Sequence, residues 1–387
     1  MKCLQYLFFV ATILLSVMGM SCSADRDAKL PVSTPMEGAR LLTLDSPTIA
    51  NLQTLIDRQV KTENIPGIVL QISTPENTWV GAAGVADLET KTPLKKSDRF
   101  RIGSITKTFV AVVMLQLYES REISLEDTIA DWLPAEISEQ IPNGEKITIR
   151  QLLNHTSGLD DFGEDFFEDF FERPDNNWTA QKVIEYLYGL EPLAAPGKEF
   201  YYSNSNYILL ELIVEEVTGN SLAQELRDRI YRPLGLNNTF MEVKENIPGG
   251  FVSGYDDWDE DGTRENMTEL EPWGLGDGGM ISTASDLATF LEGLFVKQQL
   301  LSPETLDEML DFIEDDEGDQ YGLGISSIET DWGEAIGHSG STGGFLSTMF
   351  YLPDRDIKVI VLTNSADAGS PDEIAEEAVE IVLDEVE

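Results

Sequence analysis

Cysteine is nearly absent from this chain. Its 387 residues include two, Cys3 and Cys22, both close to the start. A domain formed by the remainder has no disulfide and takes its stability from its core. Histidine is as scarce, with His155 and His338 alone, so a His-rich zinc site lacks ligands. Positive charge is short too: 26 Lys and Arg face 70 Asp and Glu, a formal net charge of −44. Such a surface repels phosphate backbones and anionic headgroups, which argues against nucleic acid or an acidic membrane surface as partner. It reads as a solvated acidic coat and does not by itself call for a cationic substrate. What is present is ordinary for a globular protein. Hydrophobic residues make up 42% and aromatic ones 9%, more core-forming material than a disordered chain carries. The length suits one large domain or two lobes sharing a cleft.

The longest apolar run stands at the beginning. Lys2 precedes the largely apolar stretch from Leu4 to Met20, and small residues follow, the pattern of an export signal. The run is short for a stable membrane span. Met18-Gly19-Met20-Ser21-Cys22 is similar to a lipobox, with Gly19 where leucine is usual. Cys22 is therefore expected to carry a lipid. Residues 1–22 read as a signal peptide of lipoprotein type, 23–46 as a polar tether and 47–387 as the folded domain. Export to the periplasm or cell envelope is expected, with membrane contact only through the anchor.

Within the folded part, Pro47 to Glu63 has helical spacing, with Ile49, Leu52, Leu55, Ile56 and Val60 on one face. Gly67 to Ser73 and Trp79 to Val85 are β-rich runs around Thr74-Pro75-Glu76-Asn77 and predict a hairpin. Near the other end, Ile336 to Ser341, Phe345 to Leu352 and Ile357 to Thr363 predict three strands, the last two joined by a turn at Pro353-Asp354-Arg355-Asp356. A helix follows from Pro371 to about Val386. The expected fold is α+β: one antiparallel sheet built from both ends of the chain and flanked by helices, beside a mostly helical lobe from about 100 to 330.

Three motifs can carry chemistry. Gly103-Ser104-Ile105-Thr106-Lys107 opens an apolar helical run. Ser104 and Lys107 fall on one helix face. At a helix start the serine N–H has no intrahelical partner and can face a substrate oxygen. Burial disfavours a charged amine, so a lysine at that distance can take the hydroxyl proton. Alone, the spacing is common by chance and fits a helix-capping serine and a solvated lysine better. Tyr202-Ser203-Asn204 lies in a turn before a second apolar helix. A phenol there can relay a proton and the amide can bond a substrate carbonyl; a capping residue beside a core tyrosine fits as well. His338-Ser339-Gly340-Ser341, followed by Gly343-Gly344, lies on a predicted strand. Glycines permit close backbone approach there, and the Ser341 N–H can serve as a second oxyanion donor.

Taken together and in this order, the motifs resemble the S-x-x-K, S-D-N and K-T-G set of serine β-lactamases and penicillin-binding proteins. Tyr-Ser-Asn in second place is similar to the branch of class C β-lactamases, Streptomyces-type D-Ala-D-Ala carboxypeptidases and related esterases. So are Leu152-Leu153-Asn154-His155-Thr156-Ser157-Gly158-Leu159, Arg232-Pro233-Leu234-Gly235-Leu236 and Gly278-Gly279-Met280-Ile281-Ser282-Thr283. The resemblance runs from about residue 50 to the end. It implies the β-lactamase/transpeptidase-like fold and a serine hydrolase working through an acyl-enzyme, with Ser104 as nucleophile and Lys107 and Tyr202 sharing the proton transfers. Ser104 and Ser341 N–H groups would form the oxyanion hole, and Asn204, His338 and Gly340 would line the substrate. His338, protonated near pH 6.5, could bind a terminal carboxylate. The expected activity is that of a D-Ala-D-Ala carboxypeptidase on small peptide or cell-wall-type substrates. A small-ester esterase, and a weak β-lactamase or non-turnover penicillin-binding protein, are the alternatives. Class C β-lactamases carry lysine where this chain has His338, which lowers the expectation of antibiotic hydrolysis. No cofactor is called for, and a monomer is expected.

Three other features have plainer readings. Asp257-Trp258-Asp259-Glu260-Asp261-Gly262 opens like a calcium loop, but its twelfth position is Thr268, and an acidic turn is expected. Phe166, Phe167, Phe170 and Phe171 have helical spacing and read as core. His155 reads as part of a structural turn.

Overall fold

The computed structural model describes residues 42–384 except 164–165, 167–168, 171–172, 174–177, 259–260, 269–272 and 315–319. The proposed signal peptide, nearly all of the tether, Cys22, Phe167, Phe171, Asp259 and Glu260 lie outside the described residues. So does the final turn expected for the last helix.

The chain enters through helix α1 (Ser46–Thr62), whose N-terminus is capped by Asp45 accepting from the Thr48 N–H, with Pro47 in the first turn. Its buried face is Leu52, Leu55 and Ile56. The hairpin β1 (Gly67–Ser73) and β2 (Thr78–Asp87) follows; its turn is closed by the Thr74 N–H donating to Asn77 O at 2.9 Å. A short strand β3 (Thr92–Pro93) lies beside β2. From the far end come β12 (Gly333–Thr342), β13 (Phe345–Leu352), β14 (Ile357–Thr363) and helix α5 (Pro371–Leu383), capped by Ser370. The two ends meet at the middle of the sheet, where β1 and β14 pair antiparallel with Ile68 opposite Thr363.

The sheet is wider than the sequence predicts. Nine strands run in the order β3-β2-β1-β14-β13-β12-β11-β10-β9. The added strands are β3, β9 (Ile313–Glu314), β10 (Gln320–Tyr321) and β11 (Ser326–Thr330). Most are two residues long, too short for an alternating pattern to register. Every residue of β1, β13 and β14 is buried, which is what continuous apolar runs give when both faces of a strand are covered. On one face α1 and α5 pack over Leu70, Ile72, Val359 and Val361. On the other, Val69, Ile360 and Leu362 join the core of the helical lobe.

That lobe centres on helix α2 (Ile105–Glu119), buried nearly all round, and helix α3 (Asn204–Thr218), and its core also takes in helix α4 (Ala284–Leu291). It is not purely helical. A small sheet of β4 (Phe100–Arg101), β8 (Met280–Ser282) and β5 (Phe240–Met241) underlies the start of α2, and β6 (Tyr255–Asp256) pairs with β7 (Glu265–Asn266). Arg101 of β4 is buried against Glu242, with Nε–Oε2 at 2.7 Å and Nη2–Oε1 at 2.8 Å, and also donates to Thr268 O. Severing a buried pair of this kind costs about 3–5 kcal/mol.

Candidate active site

Gly103 turns the chain from β4 into α2. Its φ is +49°, and a Cβ there would stand 2.7 Å from Ser341 O. Gly340 is under the same constraint from the opposite side, since a Cβ there would stand 2.1 Å from Ile102 O. Two residues without side chains thus let β12 press against the turn that carries Ser104. Pairing between β11 and β12 ends at Gly337. Residues 338–342 therefore present an open strand edge beside Ser104.

Ser104 is the N-cap residue of α2, yet its φ and ψ are helical and its side chain makes no capping bond. The hydroxyl instead accepts from Lys107 Nζ at 3.0 Å. Lys107 is fully buried. Its Nζ also donates to Asn204 Oδ1 and to Asp277 O, each at 2.7 Å, and lies 4.9 Å from the centre of the Tyr202 ring. These three contacts hold the amine between the serine hydroxyl, the Asn204 amide and the backbone of Asp277. The capping serine and solvated lysine that the spacing alone allowed are both absent. The structure brings Ser104, Lys107, Tyr202 and Asn204 together, with the backbone of Ser341 across the Gly103 turn.

Asn204 opens α3 and bridges outward. Its Nδ2 donates to Asp161 Oδ2 at 2.8 Å, while Asp161 Oδ1 accepts from the N–H and hydroxyl of Ser205, each at 3.2 Å. Burial raises the Asp161 carboxyl, opposed by these hydrogen bonds and by Lys107. Asp277, whose carbonyl meets Lys107, accepts from Trp273 Nε1 at 2.7 Å through its carboxylate. Burial pushes that group up to about 6, against the pull of Lys107. The neighbouring Gly276 N–H is held by Glu211 Oε2 at 2.7 Å. Burial pushes Glu211 up to about 8, so it is a neutral acid at pH 7.

His338 lies on β12 with 6% of its surface exposed. Its Nδ1 is 2.6 Å from the carbonyl of Ser339, so that nitrogen carries the hydrogen and donates. Nε2 is then left to accept from the Tyr321 hydroxyl at 2.9 Å. Burial lowers the imidazole to about 4. This corrects the expectation of a ring protonating near pH 6.5: desolvation outweighs the hydrogen bond to Ser339, and both ring nitrogens are occupied within the protein. Asp161, Asp277, Glu211 and Tyr321 escaped the sequence reading. None lies at a fixed spacing from a motif serine, and tertiary contact alone brings them in.

The family profile described as Beta-lactamase matches residues 52–384. The chain belongs to the beta-lactamase family. Its relatives there include Penicillin-binding protein 4* of Bacillus subtilis (strain 168), 27% identical over 86% of this chain and 75% of that protein. The chain spans 43% and 62% of the length of two further curated relatives. Among solved structures it is similar to a D-stereospecific amidohydrolase from Streptomyces sp., with TM-score 0.77 and 31% identity over 85% of this chain and 98% of that one. It is also similar to the D-amino acid amidase of Ochrobactrum anthropi SV3 complexed with D-phenylalanine, with TM-score 0.77 and 26% identity over 88% and 100%. Members of the beta-lactamase family related to this chain are serine hydrolases, including amidases and β-lactamases. The fold is that of the β-lactamase/transpeptidase-like proteins.

Among the described residues, no group of three His, Cys, Asp or Glu side chains is placed to hold a metal ion.

Proposed function

We propose that the protein is a serine hydrolase that opens amide bonds beside D-configured residues, in the manner of an amidase or peptidase, through an acyl-enzyme on Ser104. The observation that carries this reading is the hydroxyl of Ser104, free of capping and bonded to a buried Lys107. Ser104 Oγ attacks the carbonyl carbon. The Lys107–Tyr202 pair takes the hydroxyl proton and returns it to the departing nitrogen as the C–N bond breaks. The Ser104 and Ser341 N–H groups hold the developing oxyanion. Water then enters, gives its proton to the same pair and releases the acid, and Ser104 recovers its hydrogen. The open edge at 338–342 supports a substrate laid along β12, where Gly340 gives its space to the Ile102 carbonyl.

The state of His338 favours an amide or otherwise uncharged leaving side over the carboxypeptidase expected from sequence. A neutral, fully bonded imidazole supplies no cation for a terminal carboxylate. The same lack of a cation keeps β-lactamase activity low in this reading. Rates on a D-amino acid amide, a D-Ala-D-Ala peptide, a short-chain nitrophenyl ester and a cephalosporin test it. The amide is expected to be fastest; preference for the D-Ala-D-Ala peptide would replace the amidase form of the reading by the peptidase form, and preference for the ester would overturn it. Export and lipid attachment at Cys22 are part of the proposal and rest on residues 1–22 alone. Labelling with a fatty-acid analogue in wild type and Cys22→Ala tests them.

A further inference from the structure

His155 has no part in the reaction as drawn, yet it lies against it. The residue is fully buried in the turn Asn154-His155-Thr156 and adopts φ of +58°, a region that residues other than glycine occupy only when their surroundings impose it. Here they do. Thr156 Oγ1 donates to Asn154 Oδ1 at 2.7 Å, the Gly197 N–H to Thr156 O at 2.7 Å and the Tyr201 N–H to His155 O at 2.9 Å. The strained turn is thus tied to the segment that leads into Tyr202.

The imidazole completes the clamp. Its ring stacks on the ring of Tyr202, with centroids 4.2 Å apart and planes 29° apart. Its Nδ1 accepts from the Ser203 N–H at 3.2 Å and from Asn206 Nδ2 at 3.0 Å. The orientation of the Asn206 amide is fixed in turn by Ser157 Oγ donating to Asn206 Oδ1 at 2.7 Å. Since a backbone N–H must donate, Nδ1 carries the lone pair and the hydrogen sits on Nε2. That nitrogen is buried with no hydrogen-bond partner among the described residues. The rings of Tyr321, Tyr207 and Phe200 stand around it at 5.0, 5.4 and 5.9 Å between centroids. Burial first, and then Lys107 and His338 facing it, hold the imidazole well below the usual histidine range.

We propose that His155 is a positioning residue, a flat anchor that fixes the phenol of Tyr202 against Lys107 by gripping the backbone before it, its ring, and the N–H after it. This rests on the reading of Ser104, Lys107 and Tyr202 as the reacting groups. A histidine serving only as core filler would need none of these three contacts to converge on one neighbour.

Two variants separate the contributions of the ring and of the acceptor. His155→Asn tolerates positive φ best and keeps an acceptor, but loses the stacking face. His155→Phe keeps the face and loses the acceptor. The readout is the second-order rate of covalent labelling by a fluorophosphonate probe, located on Ser104 by peptide mass, beside the thermal midpoint of each protein. We expect His155→Asn to melt near wild type and to label about 30-fold more slowly, the scale of a misplaced catalytic group. His155→Phe should melt lower and label within about threefold of wild type. Stability and reactivity then run in opposite order, which a merely structural residue would not produce. Labelling of His155→Asn within threefold of wild type overturns the proposal, and so does an equal loss in both variants. If His155→Phe does not fold, the Asn variant against wild type decides. If the probe fails to label Ser104 in wild type, the functional reading falls, and the proposal with it.

Discussion

The two faces of the sheet are built from the same strands but differ in what they bury. Along β1, Ile68, Leu70 and Ile72 point to one side and Val69 to the other; β14 splits the same way, with Val359 and Val361 against Ile360 and Leu362. The face under α1 and α5 is mainly aliphatic, with Trp79 and Phe350 among it, and Asp372 reaches into it, held by Ser339 Oγ at 2.8 Å and by the Thr348 hydroxyl. The face toward the helical lobe leads into a region that buries Arg101, Lys107, His155, Glu211, Glu242, Asp277 and His338. Polar groups are costly to bury unless paired, and here nearly all are. One face supplies stability by removing apolar area from water. The other supports a reactive centre.

Substitutions on the two sides should therefore fail differently. The largest effect is expected at the centre itself. Ser104→Ala should lower turnover by about 10⁴-fold or more and abolish covalent labelling, with the thermal midpoint little changed. Lys107→Ala should follow closely, and near-normal labelling at pH 7 would remove Lys107 from the mechanism. On the aliphatic face, Leu70→Ala should cost about 2–5 kcal/mol of stability by denaturant unfolding, while the labelling rate per folded molecule stays at the wild-type value. A matching loss of rate would mean that the two faces are not independent.

Glu211→Gln tests the buried acid behind Lys107. Burial keeps the proton on wild-type Glu211 in the folded state up to about pH 8, whereas a solvated glutamate, as in the unfolded chain, loses it near 4.5. Between these values the folded state binds more protons. Its contribution to stability is full below about 4.5, falls as pH rises through 8 and is level above. The Gln variant, neutral throughout, should flatten that decline, gaining on wild type as pH rises; parallel curves would show that the carboxyl ionises freely. The smallest effect is expected from His338→Lys. In wild type the ratio of kcat/KM for a carboxylate-bearing substrate to that for a neutral amide should stay flat from pH 5.5 to 8, because the ring titrates at about 4. The lysine variant should raise the ratio roughly five- to tenfold, in line with one charge-assisted contact. A wild-type ratio that climbs as pH falls toward 6.5 would reinstate the carboxypeptidase reading.

What could be read from the sequence follows from how local each feature is. Helix α1 and strands β1, β2, β12, β13 and β14 are long enough to show their periods, and Ser104 and Lys107 are neighbours on one turn of helix. The antiparallel sheet, the two-ended topology and the serine–lysine contact were legible for that reason. Strands β9 and β10, two residues each, were not. Neither were Asp161, Asp277 and Tyr321, which reach the site from loops and from the short strand β10. His338 was legible as a residue and illegible as a charge: its type is written in the chain, but the burial that lowers its basicity and the hydroxyl that occupies its Nε2 are not. His155 was read as a turn, and the turn is there; its stacking on Tyr202 had no local signature.

The pairing of Ile68 with Thr363 also sets an order of events in time. β1 and β2 are made early, but β1 must wait for β14 before its second edge is satisfied. Contacts this distant along the chain form slowly. Until β14 is made, β1 lacks its partner on one edge, and an incomplete sheet of this kind leaves apolar strands exposed to aggregation. Cleavage or truncation before residue 357 would remove a strand from the middle of the sheet rather than trim its border.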